Sequence, residues 1–401
     1  MPTKTADQFL AALADELEIS QTRCDEACRS YASLGEWLHR PESTVLRYDP
    51  QVYVQGSFRL GTAIRPLNDD EEYDVDSVCV LQSLGTSQLS QKTLKDMVGA
   101  EIEAYRRSKA MVKPLEEGNR CWVLTYADEA QFHMDIVPAV PNAAQQRMLL
   151  EAAHLDARWS KTAIVITDRR LRNYEAISGD WQRSNPKGYA EWFRQRMGSV
   201  FERRRRVLAE AVHASVEDIP EYRVRTPLQS AIMILKRHRD GMFADRYDER
   251  PISVIITTLA AHSYNGEESV SAALFAILAN MDRYIERTSG QCIIRNPSDP
   301  LENFADKWPT YPEREDAFFE WLDQARLDFG QLAQQVERRR LVETVSPRIG
   351  RVAEKALARM DPPSSSMLRP ARSAVIIGTG AAAEPVFPNT RREPTSPKGF
   401  A

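Results

Sequence analysis

The chain has no long apolar run, no excess of positive charge and few cysteines. No stretch approaches the roughly 18 apolar residues of a membrane-spanning helix, so none is predicted, and the first residues lack a charged-then-apolar secretory pattern. Lys and Arg number 53 against 57 Asp and Glu, a formal charge of −4. That balance removes the usual basis for wholesale nucleic-acid binding. The five cysteines are scattered, and Cys24-x-x-x-Cys28 lacks a second Cys or His pair to complete a zinc site. An odd count without a leader predicts a reducing, cytoplasmic setting. The remainder is ordinary: 42% hydrophobic and 27% charged residues over 401 positions, enough for two or three domains.

The chemistry concentrates in three short stretches. The first is the turn Gln55-Gly56-Ser57-Phe58-Arg59-Leu60-Gly61-Thr62 after the short strand Val52-Tyr53-Val54. Gly56 lets backbone approach a ligand closely. Ser57, Arg59, Gln55 and the backbone N–H groups are candidates to hold phosphate oxygens there. The second is Tyr73-Asp74-Val75-Asp76, where strand periodicity puts both carboxylates on one face and Val75 on the other. The third is His133-Met134-Asp135-Ile136-Val137, a second apolar strand with one carboxylate. Three crowded carboxylates resist ionising. Divalent cations remove that objection, and Mg²⁺, with Mn²⁺ as the alternative, binds a few carboxylates together with substrate phosphates. His133 shares the face of Asp135, but hard Mg²⁺ does not favour nitrogen, so the expected metal set is Asp74, Asp76 and Asp135.

These stretches resemble the polymerase-β-type nucleotidyltransferases. The longer run QGSFRLGTAIRPL with EYDVD is similar to the cGAS/DncV-like nucleotidyltransferases (CD-NTases) of bacterial anti-phage (CBASS) systems. The resemblance covers about residues 10–360. It implies an α+β fold: a polymerase-β-like lobe of mixed sheet with helices, an α-helical lobe, and an active site in the cleft. Bracing helices would occupy 1–40, the catalytic lobe 41–215, the helical lobe 216–360 and a flexible tail 361–401. By the same resemblance Lys236 and Ser253 reach the donor triphosphate from the helical lobe, and Asn303 and Asp306 border the base. The implied activity is synthesis of a cyclic di- or trinucleotide messenger from ATP or GTP with release of pyrophosphate, a cGAMP-type product being favoured. The implied partners are the nucleotides, an effector that answers to the product, and a ubiquitin-transfer-like ligase acting at Ala401; neither membrane nor stably bound nucleic acid is required.

Local patterns fill in the rest. Helices are expected over 4–38, interrupted at Ile19-Ser20, and over 91–108, 189–212, 228–239, 254–264, 269–289 and 312–360. A strand runs from Tyr73 to Leu81, and a hairpin around 127–130 ends at Pro138 and Pro141. Asn68 to Glu72 reads as an acidic loop, and Arg203 to Arg206 as a solvated helix face. Seven of the 23 prolines fall after residue 361, in a tail rich in small residues. Competing functions are nucleotide addition to an RNA end, modification of a protein, and a catalytically silent nucleotide sensor.

Overall fold

The structure is a computed structural model and describes residues 2–66, 73–126, 132–211 and 224–360. The acidic loop, the 127–130 turn and the tail with Ala401 lie outside the described residues.

The chain opens with α1 (Lys4–Leu17) and α2 (Gln21–Leu38), separated at Ile19-Ser20 as expected. Ser20 caps α2 by accepting from the Arg23 N–H, which satisfies one of the donors left open at a helix start. Next come β1 (Pro50–Val54), the short α3 (Gly56–Leu60), β2 (Tyr73–Leu81), α4 (Gln91–Ser108), β3 (Glu116–Glu117), β4 (Trp122–Tyr126) and β5 (Phe132–Pro141). They are followed by α5 (Ala143–Ala152), β6 (Ile164–Ile166), β7 (Gln182–Ser184) and α6 (Pro186–Ala211). Then α7 (Pro227–Met242), α8 (Ser253–Ser263) and α9 (Val270–Asn280) lead to two small hairpins, β8 (Glu286–Thr288) with β9 (Gln291–Ile293), and β10 (Arg295–Asn296) with β11 (Asp299–Asn303). The chain closes on α10 (Pro312–Ala333), α11 (Arg338–Ile349) and α12 (Val352–Met360).

The described residues form two compact units. The sheet unit holds Ile19–Arg196 and Glu286–Asp306. The helical unit holds the residues up to Glu18, Met197–Ile285 and those from Lys307 on. This partition differs from the boundaries expected from sequence. The N-terminal helices part company, because α1 buries Phe9, Leu10, Leu13 and Leu17 among α7, α9 and α12. The hairpin segment returns to the sheet unit, where Arg183 donates to buried Asp299 at 2.9 Å and Ser298 Oγ donates to the Asn185 carbonyl. Within α6 the helix kinks at Gly198 (φ 47°, ψ −128°).

In the sheet unit seven strands form one mixed sheet, with core order β1-β2-β5-β4-β3 and with β6 and β7 continuing from β5. β2 and β5 are parallel neighbours; their other pairings are antiparallel. On one face Val52, Val54, Val75, Cys79, Leu124, Met134 and Ile136 pack against Leu34 and Leu38 of α2 and Leu94, Val98 and Ile102 of α4. Slipping a strand by one residue would turn this apolar set to the opposite face. The core therefore fixes which residues of β2 and β5 face away from it.

Two local expectations are corrected. Pro138 does not end the hairpin strand: β5 runs through it and stops at Pro141, where the second proline was expected to end it. Its edge partner changes from β4, which pairs through Ile136, to β6, which pairs from Ala139, and Pro138 falls between them, where its missing N–H interrupts no ladder on that edge. The helix expected over 269–289 stops at Asn280, and Glu286–Thr288 is a strand closed by a turn with Ser289 and Gly290 at positive φ. The 312–360 stretch is helical as expected, divided into α10, α11 and α12.

In the helical unit α7 is central, packing against α1, α8, α9, α10 and α11. It is buried on every side from Pro227 to Arg239 and starts on a reciprocal Thr226–Gln229 capping box. Even its basic end is buried, and His238 lies 3.0 Å from Asp328 of α10. Among the described residues no helix is long and apolar enough to cross a membrane. Arg203 and Arg204 are not a purely solvated face: Arg204 donates to the carbonyls of Arg225 and Glu268, and Arg203 pairs with Glu268 at 3.0 Å.

Candidate active site

The parallel pairing of β2 with β5 aligns Asp74 with His133 and Asp76 with Asp135. All four residues lie opposite the apolar core face, for the reason of alternation given above. Like charges at facing positions are destabilising, and the site carries that cost openly. Burial and the neighbouring Asp74 push the Asp135 carboxyl above its ordinary range. One of its oxygens, Oδ1, is buried and meets no hydrogen-bond donor among the described residues. The other, Oδ2, accepts a weak hydrogen bond from the Cys121 thiol at 3.5 Å. That thiol is itself pushed up to about 12, first by burial and then by Asp135. Ligating atoms of Asp74, His133 and Asp135 all lie within 4.8 Å of one another.

A buried, donor-less carboxylate oxygen beside a second carboxylate is what a divalent cation would satisfy. The residues present therefore fit a metal ion. Asp76 stands in register with Asp135, but its carboxylate is turned toward the Gly56 turn. A Cβ built on Gly56 would sit 2.2 Å from Asp76 Oδ2, and Gly56 has φ +61°. Both facts require glycine here. The Gln55 N–H donates to the Asp76 carbonyl at 2.8 Å, which ties the turn to the strand. Gly56→Ala is expected to lower activity at least about a hundredfold by displacing Asp76, with only about 1–2 kcal/mol lost in stability. Steady-state kinetics beside thermal melts check this, and unchanged turnover would contradict it.

The other sequence candidates are placed as follows. Gln55 precedes α3, Ser57 is half-buried in its first turn, and the Thr62 N–H donates to the Ser57 carbonyl at 2.9 Å. Arg59 turns back on the chain, its Nη1 reaching the Val54 carbonyl at 3.4 Å. Asp306 is exposed at the end of the sheet unit. Asn303 is committed to its own hairpin, accepting from Ile294 and Ala305 N–H groups and donating to the Cys292 carbonyl. Lys236 and Ser253 belong to the helical unit. Lys236 is buried within α7, and Ser253 opens α8.

Sequence reasoning overlooked one neighbour, Arg239, and set aside another, His133. Arg239 donates to Ser253 Oγ and to the Pro251 carbonyl, each at 2.9 Å, and so orients the start of α8. His133 joins the carboxylate cluster, 3.5 Å from Asp74 Oδ1. Its position two residues before Asp135 was the available signal. Asp168, beside β6, is not part of the cluster. Burial alone would raise it, but Arg170 and Arg120 clamp its carboxylate well below the usual range.

Comparison with known proteins places this arrangement. Residues 3–164 match the family model of the Second Messenger Oligonucleotide or Dinucleotide Synthetase domain. A c-di-GMP synthase of Roseivirga ehrenbergii is 28% identical over 321 residues, covering 79% of this chain and 77% of that protein. The cyclic dinucleotide synthase CdnG of Bradyrhizobium diazoefficiens is 25% identical over 312 residues, covering 76% and 70% respectively. The solved structure of that CdnG in complex with GTP aligns with TM-score 0.67 at 22% identity, covering 89% of this chain and 99% of the other. Fold, strand-borne carboxylates and relatives together define a nucleotidyltransferase. The chain is similar to the cGAS/DncV-like nucleotidyltransferases, the CD-NTases, and its residues 3–164 match the synthetase domain.

Proposed function

We propose that the protein is a cyclic dinucleotide synthase in which Asp74, Asp76 and Asp135 hold divalent cations, Mg²⁺ or Mn²⁺, against a nucleoside triphosphate. The observation that carries this reading is the register of Asp76 opposite Asp135 on parallel strands, with Asp74 beside them and Asp135 Oδ1 lacking a donor. When bound, the cations would supply charge neutralisation and Lewis acidity at the reacting phosphoryl group. The chain's own residues position the reactants. The Gln55-Gly56-Ser57 turn, fixed to β2 through the Asp76 carbonyl, presents backbone and hydroxyl donors to phosphate oxygens. Lys236 and Ser253 are proposed as phosphate-binding residues of the helical unit, Ser253 being oriented by Arg239. A ribose hydroxyl then displaces pyrophosphate at the α-phosphorus, and a second transfer closes the ring.

The curated relatives named for c-di-GMP and cyclic dinucleotide synthesis support a two-nucleotide product containing guanine. That name favours c-di-GMP over the cGAMP-type product expected from sequence. The reading includes a role in anti-phage defence, a downstream effector that answers to the product, and conjugation through Ala401.

The test is incubation of the full chain with GTP alone, ATP alone and both, with Mg²⁺ or Mn²⁺, followed by phosphatase treatment and mass analysis. A phosphatase-resistant cyclic di-GMP formed from GTP alone is expected. A mixed product formed only with both nucleotides would replace c-di-GMP by cGAMP. Labelled nucleotide appearing only on added RNA or on protein would overturn cyclisation.

A further inference from the structure

Among the described residues, the closest group of metal-ligating atoms is not made of three carboxylates. It consists of Asp74, His133 and Asp135, one imidazole and two carboxylates. Asp76 lies outside this group, its carboxylate directed at the Gly56 turn. The difference has a structural cause. On β2 and β5 the pair Asp74–His133 is one register step removed from the pair Asp76–Asp135. Asp135 reaches back toward the first pair, and the turn engages Asp76. His133 Nε2 is 3.5 Å from Asp74 Oδ1. Ligands around one divalent ion stand roughly 3–4 Å apart when bonds are about 2.1 Å. The three atoms lie close to the spacing that ligands of one ion adopt, and Asp135 Oδ1, buried without a hydrogen-bond donor, has lone pairs that an ion would satisfy.

We infer that His133, with Asp74 and Asp135, forms a nitrogen-containing metal position that prefers Mn²⁺ or Zn²⁺ to Mg²⁺. The donor chemistry sets this preference. Carboxylates alone suit Mg²⁺, which dehydrates reluctantly and gains little from nitrogen. Imidazole suits first-row transition ions, whose affinity for such sites rises along the series toward copper and falls back slightly at zinc. His133 is half-buried and its partner Asp74 is exposed, so an ion can enter from solvent. This inference deepens the metal assignment proposed above, but it rests on the geometry of three side chains and not on the identity of the product. Mn²⁺ and Zn²⁺ then act differently. An ion with flexible, higher coordination keeps positions for phosphate oxygens. Zn²⁺, content with four ligands, would hold the three side chains and leave fewer such positions, so it is expected to inhibit.

The experiment uses the full chain freed of metal by chelation. Mn²⁺ is added, and bound ion is read from the loss of the free-ion spin-resonance signal. Pulsed spin-echo spectra of the bound ion are then searched for coupling to an imidazole nitrogen. The wild-type protein should show that coupling, and His133→Gln should lose it. Mn²⁺ and Zn²⁺ affinity should fall about 10–100-fold in His133→Gln, while Mg²⁺ affinity, measured by competition, changes less than about threefold. Absence of nitrogen coupling in the wild-type protein overturns the inference without reliance on any variant. Equal loss of all three ions in a variant with wild-type circular dichroism overturns the claimed selectivity. Failure to make a cyclic dinucleotide would end the functional proposal and leave these metal measurements intact.

Discussion

Asp74→Ala combined with Asp76→Ala is expected to reduce nucleotide transfer by more than about three orders of magnitude, which corresponds to roughly 4 kcal/mol or more of lost transition-state stabilisation. Both side chains leave the sheet on the face opposite its apolar core, Asp74 being exposed and Asp76 half-buried. Their removal therefore leaves Val75, Val78, Cys79 and the packing around them intact. The β2–β5 register is set by that packing, so the double variant should fold. Its thermal midpoint in the absence of metal should match or exceed the wild-type value, because two negative charges near Asp135 have been removed. The measurement pairs product formation, followed by mass analysis, with thermal melts. Retention of substantial turnover would remove the carboxylate cluster from the mechanism. Loss of turnover together with loss of fold would show that Asp74 and Asp76 serve the sheet instead.

Asp135→Asn separates stability from activity more sharply. Burial first, and Asp74 second, raise the Asp135 carboxyl above its ordinary range. A folded-state pKa above the unfolded one means that the native state holds the proton more tightly. Stability from this group is then greatest at low pH, and it declines as pH rises from the ordinary carboxylate range through the raised value. At neutral pH the ionised side chain costs the metal-free fold free energy. Asparagine keeps the shape, removes the charge and cannot neutralise a cation. Metal-free Asp135→Asn is therefore expected to be more stable than wild type at pH 7 by about 1 kcal/mol. The difference should close toward pH 4, where the wild-type carboxyl regains its proton. Activity should fall at least about a hundredfold, as for loss of a group that acts on transition-state charge. Adding Mn²⁺ should stabilise wild type through its binding free energy and the variant much less, reversing their order. A variant less stable than wild type in chelator at pH 7, or one with full activity, would contradict this account.

Both predictions depend on an arrangement only partly visible beforehand. The bounds of β2 and α4, the break between α1 and α2, and the hairpin strands were readable because each rests on short-range periodicity and capping. The 269–289 region misled because its early residues do form a helix. The strand that follows exists only by pairing Glu286–Thr288 with Gln291–Ile293, and hairpin pairing competes poorly with helical periodicity in a sequence reading. The two-unit partition was equally hidden. Attachment of Asp299 and Ser298 to Arg183 and Asn185 joins residues more than a hundred positions apart.

The sequence by itself determined that Asp74 and Asp76 share a face, that Asp135 and His133 share another, and that apolar partners hold both faces in place, because a strand alternates with a fixed period of two. Only the tertiary structure decided that these faces meet in register, that Asp76 leans on Gly56 and that His133 rather than Asp76 closes the nearest ligand group. Register between distant strands is set by how the whole core packs, and no local pattern encodes it.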